Sequence, residues 1–96
     1  MANRYRVELL PAARRQLEKC EPAVKQRLKT AIDRLATNPR PAGSKRLKGL
    51  ADLLRIRVGE YRILYRVVDE RLVVLIIRVG HRREVYRAAA RRRLGR

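Results

Sequence analysis

The sequence predicts an α+β fold: a helical hairpin packed on a twisted antiparallel sheet of about four strands, followed by a basic C-terminal helix. Three observations carry that expectation. Apolar residues recur at helical spacing between Val24 and Leu35. Polar and apolar residues alternate from Leu53 to Val58 and again after a Gly59-Glu60 pair. The most apolar run, Leu72 to Val79, has the length of a strand. With 96 residues, the chain suffices for one domain spanning 1–96 and is too short for two.

Arg4 to Leu9 alternates in polarity and reads as a first strand. Pro11 ends the pairing and suits the first turn of a helix over Ala12 to Lys19, with Ala13 and Leu17 on one face. Pro22 opens a longer helix. Val24, Leu28, Ile32 and Leu35 form its apolar stripe, and Lys25, Lys29 and Arg34 lie on the opposite face. Asn38-Pro39 ends this helix, because the residue before a proline disfavours the α region. Residues 39–44 read as a loop. Gly59 fits the first central position of a two-residue type II′ turn joining two strands. Asp69-Glu70-Arg71 is a second turn, Gly80 breaks the apolar strand, and residues 83–86 have the length of a last short strand. Ala88 to Arg93 reads as a basic C-terminal helix or a frayed tail.

Charge narrows the partners. The formal net charge is +17, which draws the chain to polyanions: nucleic acid, an acidic membrane surface or an acidic protein. With Cys20 alone, no internal disulfide is possible, which fits a reducing cytoplasm. The first residues have no apolar stretch of the kind a secretion signal needs, and no run reaches the roughly 20 apolar residues of a membrane span.

The hairpin concentrates the chemistry. A two-residue turn at Gly59-Glu60 sets Val58 opposite Tyr61, Arg57 opposite Arg62 and Ile56 opposite Ile63. One face then carries Leu54, Ile56, Val58, Tyr61, Ile63 and Tyr65, the other Arg55, Arg57, Arg62 and Arg66 around Leu64. Like charges directly opposed destabilise a sheet, and such local conflicts tend to mark functional sites. A solvated face of splayed arginines is the plainer reading; a phosphate held in guanidinium forks is the functional one. Arg78 faces Arg62 if the second turn has three residues and points the other way if it has two. Past the apolar strand, His81, Arg82, Arg83 and Tyr86 place an imidazole, two guanidiniums and a phenol within a few residues. Lys45, Arg46 and Lys48 form a second basic cluster, either a phosphate-contacting loop or a plain surface.

One His, one Cys and scattered acids leave no zinc site of the usual kind and no carboxylate cluster for a metal-dependent nuclease; no glycine-rich phosphate loop is present and no cofactor is expected. Chemistry on nucleic acid would then be metal-independent. The RNA 2′-hydroxyl attacks its own phosphodiester, cations stabilise the phosphorane, and His or Tyr moves protons.

Leu53 to Tyr65, followed by Arg78 to Tyr86, resembles the RelE/ParE superfamily of toxins from toxin–antitoxin pairs, and the two stretches are most similar to its RelE branch. Asn38-Pro39 and Leu47-Lys48-Gly49-Leu50 also fit, so the resemblance covers essentially the whole chain. It implies a microbial RNase-like fold and metal-independent cleavage of mRNA in the ribosomal A site, leaving a 2′,3′-cyclic phosphate and a 5′-hydroxyl. It implies phosphate-holding roles for Arg55 and Arg57, and matches Arg62, Arg82 and Tyr86 to the remaining site positions. Some members carry lysine where Arg55 and Arg57 stand. Arginine cannot give up a proton to serve as a base, and some relatives have a histidine at the position of His81. The resemblance further implies a RelB-like antitoxin that wraps the basic surface and displaces 88–93, besides mRNA and the ribosome as partners. Two alternatives stay open: a ParE-like inhibitor of DNA gyrase, and a non-catalytic basic module that binds nucleic acid.

Overall fold

The computed structural model describes residues 4–85. Strand β1 (Arg6–Leu9) leads into α1 (Pro11–Glu18) and α2 (Pro22–Arg34), each with a proline at its start, where the missing N–H costs nothing. Four further strands follow: β2 (Lys45–Leu47), β3 (Leu50–Val58), β4 (Tyr61–Val68) and β5 (Val73–His81). Residues 82–85 are helical.

The sheet has five strands in the order β1-β5-β4-β3-β2. It exceeds the expected number because Lys45–Leu47, part of the expected basic loop, pairs as a short edge strand on β3. It is also mixed, since β1 runs parallel to β5 while every other pair is antiparallel. A parallel pair needs a long crossover, and here the helical hairpin and three strands intervene before the chain returns beside β1. The strand over Leu72 to Val79 begins one residue later and runs through Gly80 to His81, so Gly80 does not end it. The segment read as a last short strand is helical as far as 85; Tyr86 and the expected helix at 88–93 lie outside the described residues.

The hairpin turn forms as read. Gly59 has φ +60°, and Glu60 is not in the positive-φ region, which is the type II′ pattern. The register it sets is Val58 with Tyr61, Arg57 with Arg62, Ile56 with Ile63 and Arg55 with Leu64. The apolar face lies under the helices. Ala13 and Leu17 of α1 and Leu28 and Ile32 of α2 pack with Ile56, Ile63, Tyr65, Val74, Ile76 and Val79 in one core. Two hydrogen bonds tie other segments to this layer. Tyr65, fully buried, donates its hydroxyl to the Pro39 carbonyl at 2.8 Å, anchoring the loop after α2. The Val79 amide, beyond the reach of β1, donates to Gln16 Oε1 of α1 at 3.0 Å.

The second turn is a 3-10 segment, Asp69–Arg71, closed by Leu72 in the left-handed region at φ 54°, so that Val68 faces Val73. The pairing then shifts. Tyr65 faces Ile76 but Leu64 faces Arg78, leaving Ile77 as the extra residue of a bulge. Val74 and Ile76 point into the core before the bulge, and Val79 does so after it. Uninterrupted alternation would have aimed Arg78 into that core. The bulge instead sets Arg78 on the side of Arg62, although opposite Leu64 rather than Arg62.

Candidate nucleic-acid interface

The face of the sheet turned away from α1 and α2 carries two cross-strand rows. One runs Lys45, Arg55, Leu64, Arg78 from β2 to β5; the other runs Arg57, Arg62, Gly80 from β3 to β5. Guanidiniums thus come from three strands, which explains why no single segment reveals the site. At the centre Leu64 packs with Val85 of the following helical turn, and Leu47 and Leu53 complete this small apolar cluster. On the same face Arg55 and Arg62 are only 7% and 8% exposed, unusual values for arginine.

Each guanidinium is held differently. Arg62 donates through Nη1 to the carbonyls of Gly59 and Tyr61, both at 2.9 Å, so the hairpin turn fixes its side chain. Arg78 Nε is buried with no hydrogen-bond partner among the described residues. A buried polar atom without a partner costs about 1–3 kcal/mol, and more when charged, so an anion at this position would recover a substantial penalty. Arg57 is exposed. Arg82 lies at the opposite end of the same turn: its amide donates to the Glu60 carbonyl at 2.9 Å, and its Nε sits 3.3 Å from Glu60 Oε1. The backbone of residues 59–61 therefore organises both Arg62 and Arg82. The Glu60 partnership escaped the sequence reading, because nothing local links a turn acid to a residue two strands away.

The remaining candidates divide. His81 is exposed and pairs with Tyr61, which places it on the helix side of the sheet's end rather than beside Arg62; its ring meets that of Tyr61 edge-on at 6.1 Å. Arg83 is exposed in the final helical turn. Of the second basic cluster, Lys45 joins the arginine face opposite Arg55. Arg46, opposite Leu54, turns to the other side, where it borders a small depression with Arg40 and Asp52, and Lys48 is exposed in the turn after β2. The structure thus gathers Lys45, Arg55, Arg57, Arg62 and Arg78 with Arg82 at the rim, and sets Arg46 and His81 apart.

The Cys20 thiol donates to the Gln16 carbonyl, and burial pushes its pKa up, away from a reactive thiolate. Far from the arginines, Asp69 accepts from Arg40 at 2.8 Å and from Tyr5 at 2.6 Å, and these bonds hold its carboxyl below the usual range. Among the described residues no three His, Cys, Asp or Glu side chains converge as metal ligands.

A cleft of about 370 Å³ opens beside this face, where α2 and the loop after it meet the free edge of β3. Arg34, Lys45, Arg55 and Arg57 line it without a single acid. Arg34 stood in the sequence only as part of a helix's polar face; the cleft joins residues too far apart in the chain for any motif to connect.

Known proteins share this architecture. Residues 7–86 match the family model described as the ParE toxin of the type II toxin–antitoxin system, parDE. Toxin RelG of Mycobacterium tuberculosis is 37% identical over 84 residues, covering 86% of this chain and 97% of the relative. The mRNA interferase toxin RelE of Escherichia coli K12 is 33% identical over 92 residues, covering 92% and 96%. Among solved structures, the toxin–antitoxin complex RelBE2 of Mycobacterium tuberculosis contains a chain that superposes with a TM-score of 0.73 at 36% identity, over 82% of this chain and 92% of that one.

Proposed function

Starting from a chain that belongs to the ParE toxin family of type II toxin–antitoxin systems, within the RelE/ParE superfamily, we propose that this protein is a ribosome-dependent, metal-independent mRNA endonuclease that cleaves in the ribosomal A site and stops translation. One observation carries the reading: Arg55, Arg57, Arg62 and Arg78 share one face of the sheet, and the buried Nε of Arg78 has no partner among the described residues. Such a face fits a phosphodiester better than it fits solvent. The name of the Escherichia coli relative, mRNA interferase, points the same way.

The proposed chemistry is an internal transfer. The RNA 2′-oxygen bonds to phosphorus, the bond from phosphorus to the 5′-oxygen breaks, and the products are a 2′,3′-cyclic phosphate and a 5′-hydroxyl. Arg55, Arg57 and Arg62 hold the phosphate and the charge that builds on its oxygens; Arg82, at the rim, contacts the leaving side. Guanidinium groups serve poorly as acids or bases, so the proposal gives proton transfer to Tyr86, with His81, which stands on the other side of the sheet's end, as the alternative. Separate pH–rate profiles of Tyr86→Phe and His81→Asn assign those roles: the variant whose profile loses a limb has lost the acid or base.

The proposed partners are mRNA on the ribosome and a RelB-like antitoxin; the complex formed by the Mycobacterium tuberculosis relative supports the latter. A net charge of +17 favours fast association with an acidic antitoxin. No described helix is long and apolar enough to cross a membrane; the proposed site of action is the cytoplasm, where the proposed partners lie.

The test is a reconstituted translation system with a defined mRNA, its 5′ ends mapped by primer extension with and without ribosomes. Cuts inside A-site codons only when ribosomes are present support the reading; intact mRNA overturns it. A second reading, inhibition of DNA gyrase, is favoured by the name of the matching family model. It predicts loss of supercoiling by gyrase with mRNA left intact.

A further inference from the structure

We propose that the cleft between α2 and β3 is a nucleotide subsite: it binds the base and phosphate of one RNA residue beyond the phosphate held by the arginine face, with Arg34 as its outer phosphate ligand. The inference rests on the reading of the chain as an RNA-directed toxin and adds where the strand leaves the sheet.

Three properties of the cleft argue for this occupant. The first is charge. Its cations, Arg34, Lys45, Arg55 and Arg57, come from a helix and two strands and face no acid. The groove between β1 and the helices differs, because Glu18 and Asp33 offset Arg14, Lys25 and Lys29 there. Of these two grooves, the α2–β3 cleft is the one complementary to a polyanion. The second is its floor. Ala31, Leu35 and Ile56 supply an apolar surface, closed on one side by the loop at Pro41 and Gly43. Phosphate alone has no use for such a surface, whereas a base can cover it. A volume of about 370 Å³ lies near the small end of ligand pockets, roughly 300–1,000 Å³, and suits one nucleotide rather than several.

The third is the sheet edge. Strand β2 pairs with β3 only as far as Arg55 toward the turn, so Arg57 lies on an open edge. In a two-residue hairpin the pair flanking the turn, Val58 and Tyr61, exchanges hydrogen bonds, and the next pair does not. The N–H and C=O of Arg57 therefore point away from β4. They offer a base edge one donor and one acceptor, backed by the Arg57 guanidinium. Arg55 and Arg57 belong to both surfaces, so a strand bound on the arginine face passes into the cleft without a gap in its charge partners.

The test uses the full chain and 2′-fluoro oligoribonucleotides, which lack the attacking hydroxyl and cannot be cleaved by it. Affinity is followed by fluorescence anisotropy as the probe is lengthened one nucleotide at a time. A step of about tenfold is expected when the probe first fills the cleft, the size of one charge-assisted phosphate contact in a partly exposed site. Arg34→Ala should abolish that step and leave binding of shorter probes unchanged. Ala42→Trp, at an exposed loop position, should block it by filling the cleft. An abasic residue at the step position should recover only part of it. A smooth rise of affinity with length, identical in Arg34→Ala, overturns the proposal. So does an abasic or polyglutamate competitor as effective as RNA, because the cleft would then read charge alone. A protein that shows the step but cuts no mRNA on the ribosome keeps the subsite and loses the nuclease reading; one that cuts mRNA without the step loses only the subsite.

Discussion

The two faces of the β3–β4 hairpin are built from alternate residues of the same strands, yet they obey opposite rules. Ile56, Ile63 and Tyr65 look toward the helices and are buried with full apolar complementarity. Arg55, Arg57 and Arg62 look the other way and sit where packing alone would not place them, with Arg57 directly opposite Arg62. On the first face every residue lowers the free energy of the folded state by leaving water. On the second, like charges are gathered and two guanidiniums are nearly buried, an arrangement that folding tolerates and a phosphate would reward. The difference teaches that residues one position apart along the chain answer to opposite demands, burial of apolar surface on one face and a concentration of positive charge on the other.

Neighbouring substitutions sharpen that contrast. Ile63→Ala, on the helix face, should cost about 2–5 kcal/mol, read as a lower denaturant midpoint with unchanged slope. Arg62→Ala, next to it on the other face, should lower mRNA cleavage by about 100-fold or more, equivalent to roughly 2.7 kcal/mol in the barrier. It should cost about 1–3 kcal/mol of stability, since hydrogen bonds from a charged group to two carbonyls are lost while the apolar core stays intact. An Arg62→Ala chain that unfolds would erase the distinction between the faces.

A smaller effect is expected from Tyr65→Phe. Burial raises the pKa of this phenol, so it stays protonated and keeps donating to Pro39 through neutral pH. Its loss should cost about 1 kcal/mol and loosen the loop before β2, measured as faster amide exchange there. Activity should be unchanged if the faces are independent.

The smallest concerns Asp69, exposed and paired with Arg40 and Tyr5. Its folded pKa is depressed, so its contribution is present above the unfolded value, about 4, and fades as pH falls through the folded value. The stability gap between the native chain and Asp69→Asn should therefore close on acidification and remain constant from pH 5 to pH 7. A gap that widened in acid would contradict the assignment.

The sequence held most of the fold and part of the candidate site. The hairpin register was legible because Gly59 permits one turn and the alternation on both sides agrees with it. The helices were legible from Leu28, Ile32 and Leu35 at helical spacing. Strand β5 resisted, since a run in which nearly every residue is apolar has no alternation to betray a shift, and the bulge at Ile77 left no mark. Arg78 was accordingly ambiguous until its strand was seen paired. Strand β2 resisted because Lys45-Arg46-Leu47 has no strand character apart from its neighbour. Nor does local sequence say that β1 pairs parallel with β5; that follows from where the crossover returns the chain. Arg34 and Glu60 were hidden for the same reason, their partners being supplied by tertiary structure.

The bulge at Ile77 also divides β5 into two regimes of motion. Before it, residues 73–76 are sandwiched between β1 and β4. After it, the strand has β4 on one side, and on the other the Val79 amide is held by Gln16. Amides of the first stretch should exchange with solvent only on global unfolding, and those of the second through local opening as well. The segment that carries Arg78 toward Arg82 should thus open more readily than the stretch before the bulge, because it has a strand on one side only.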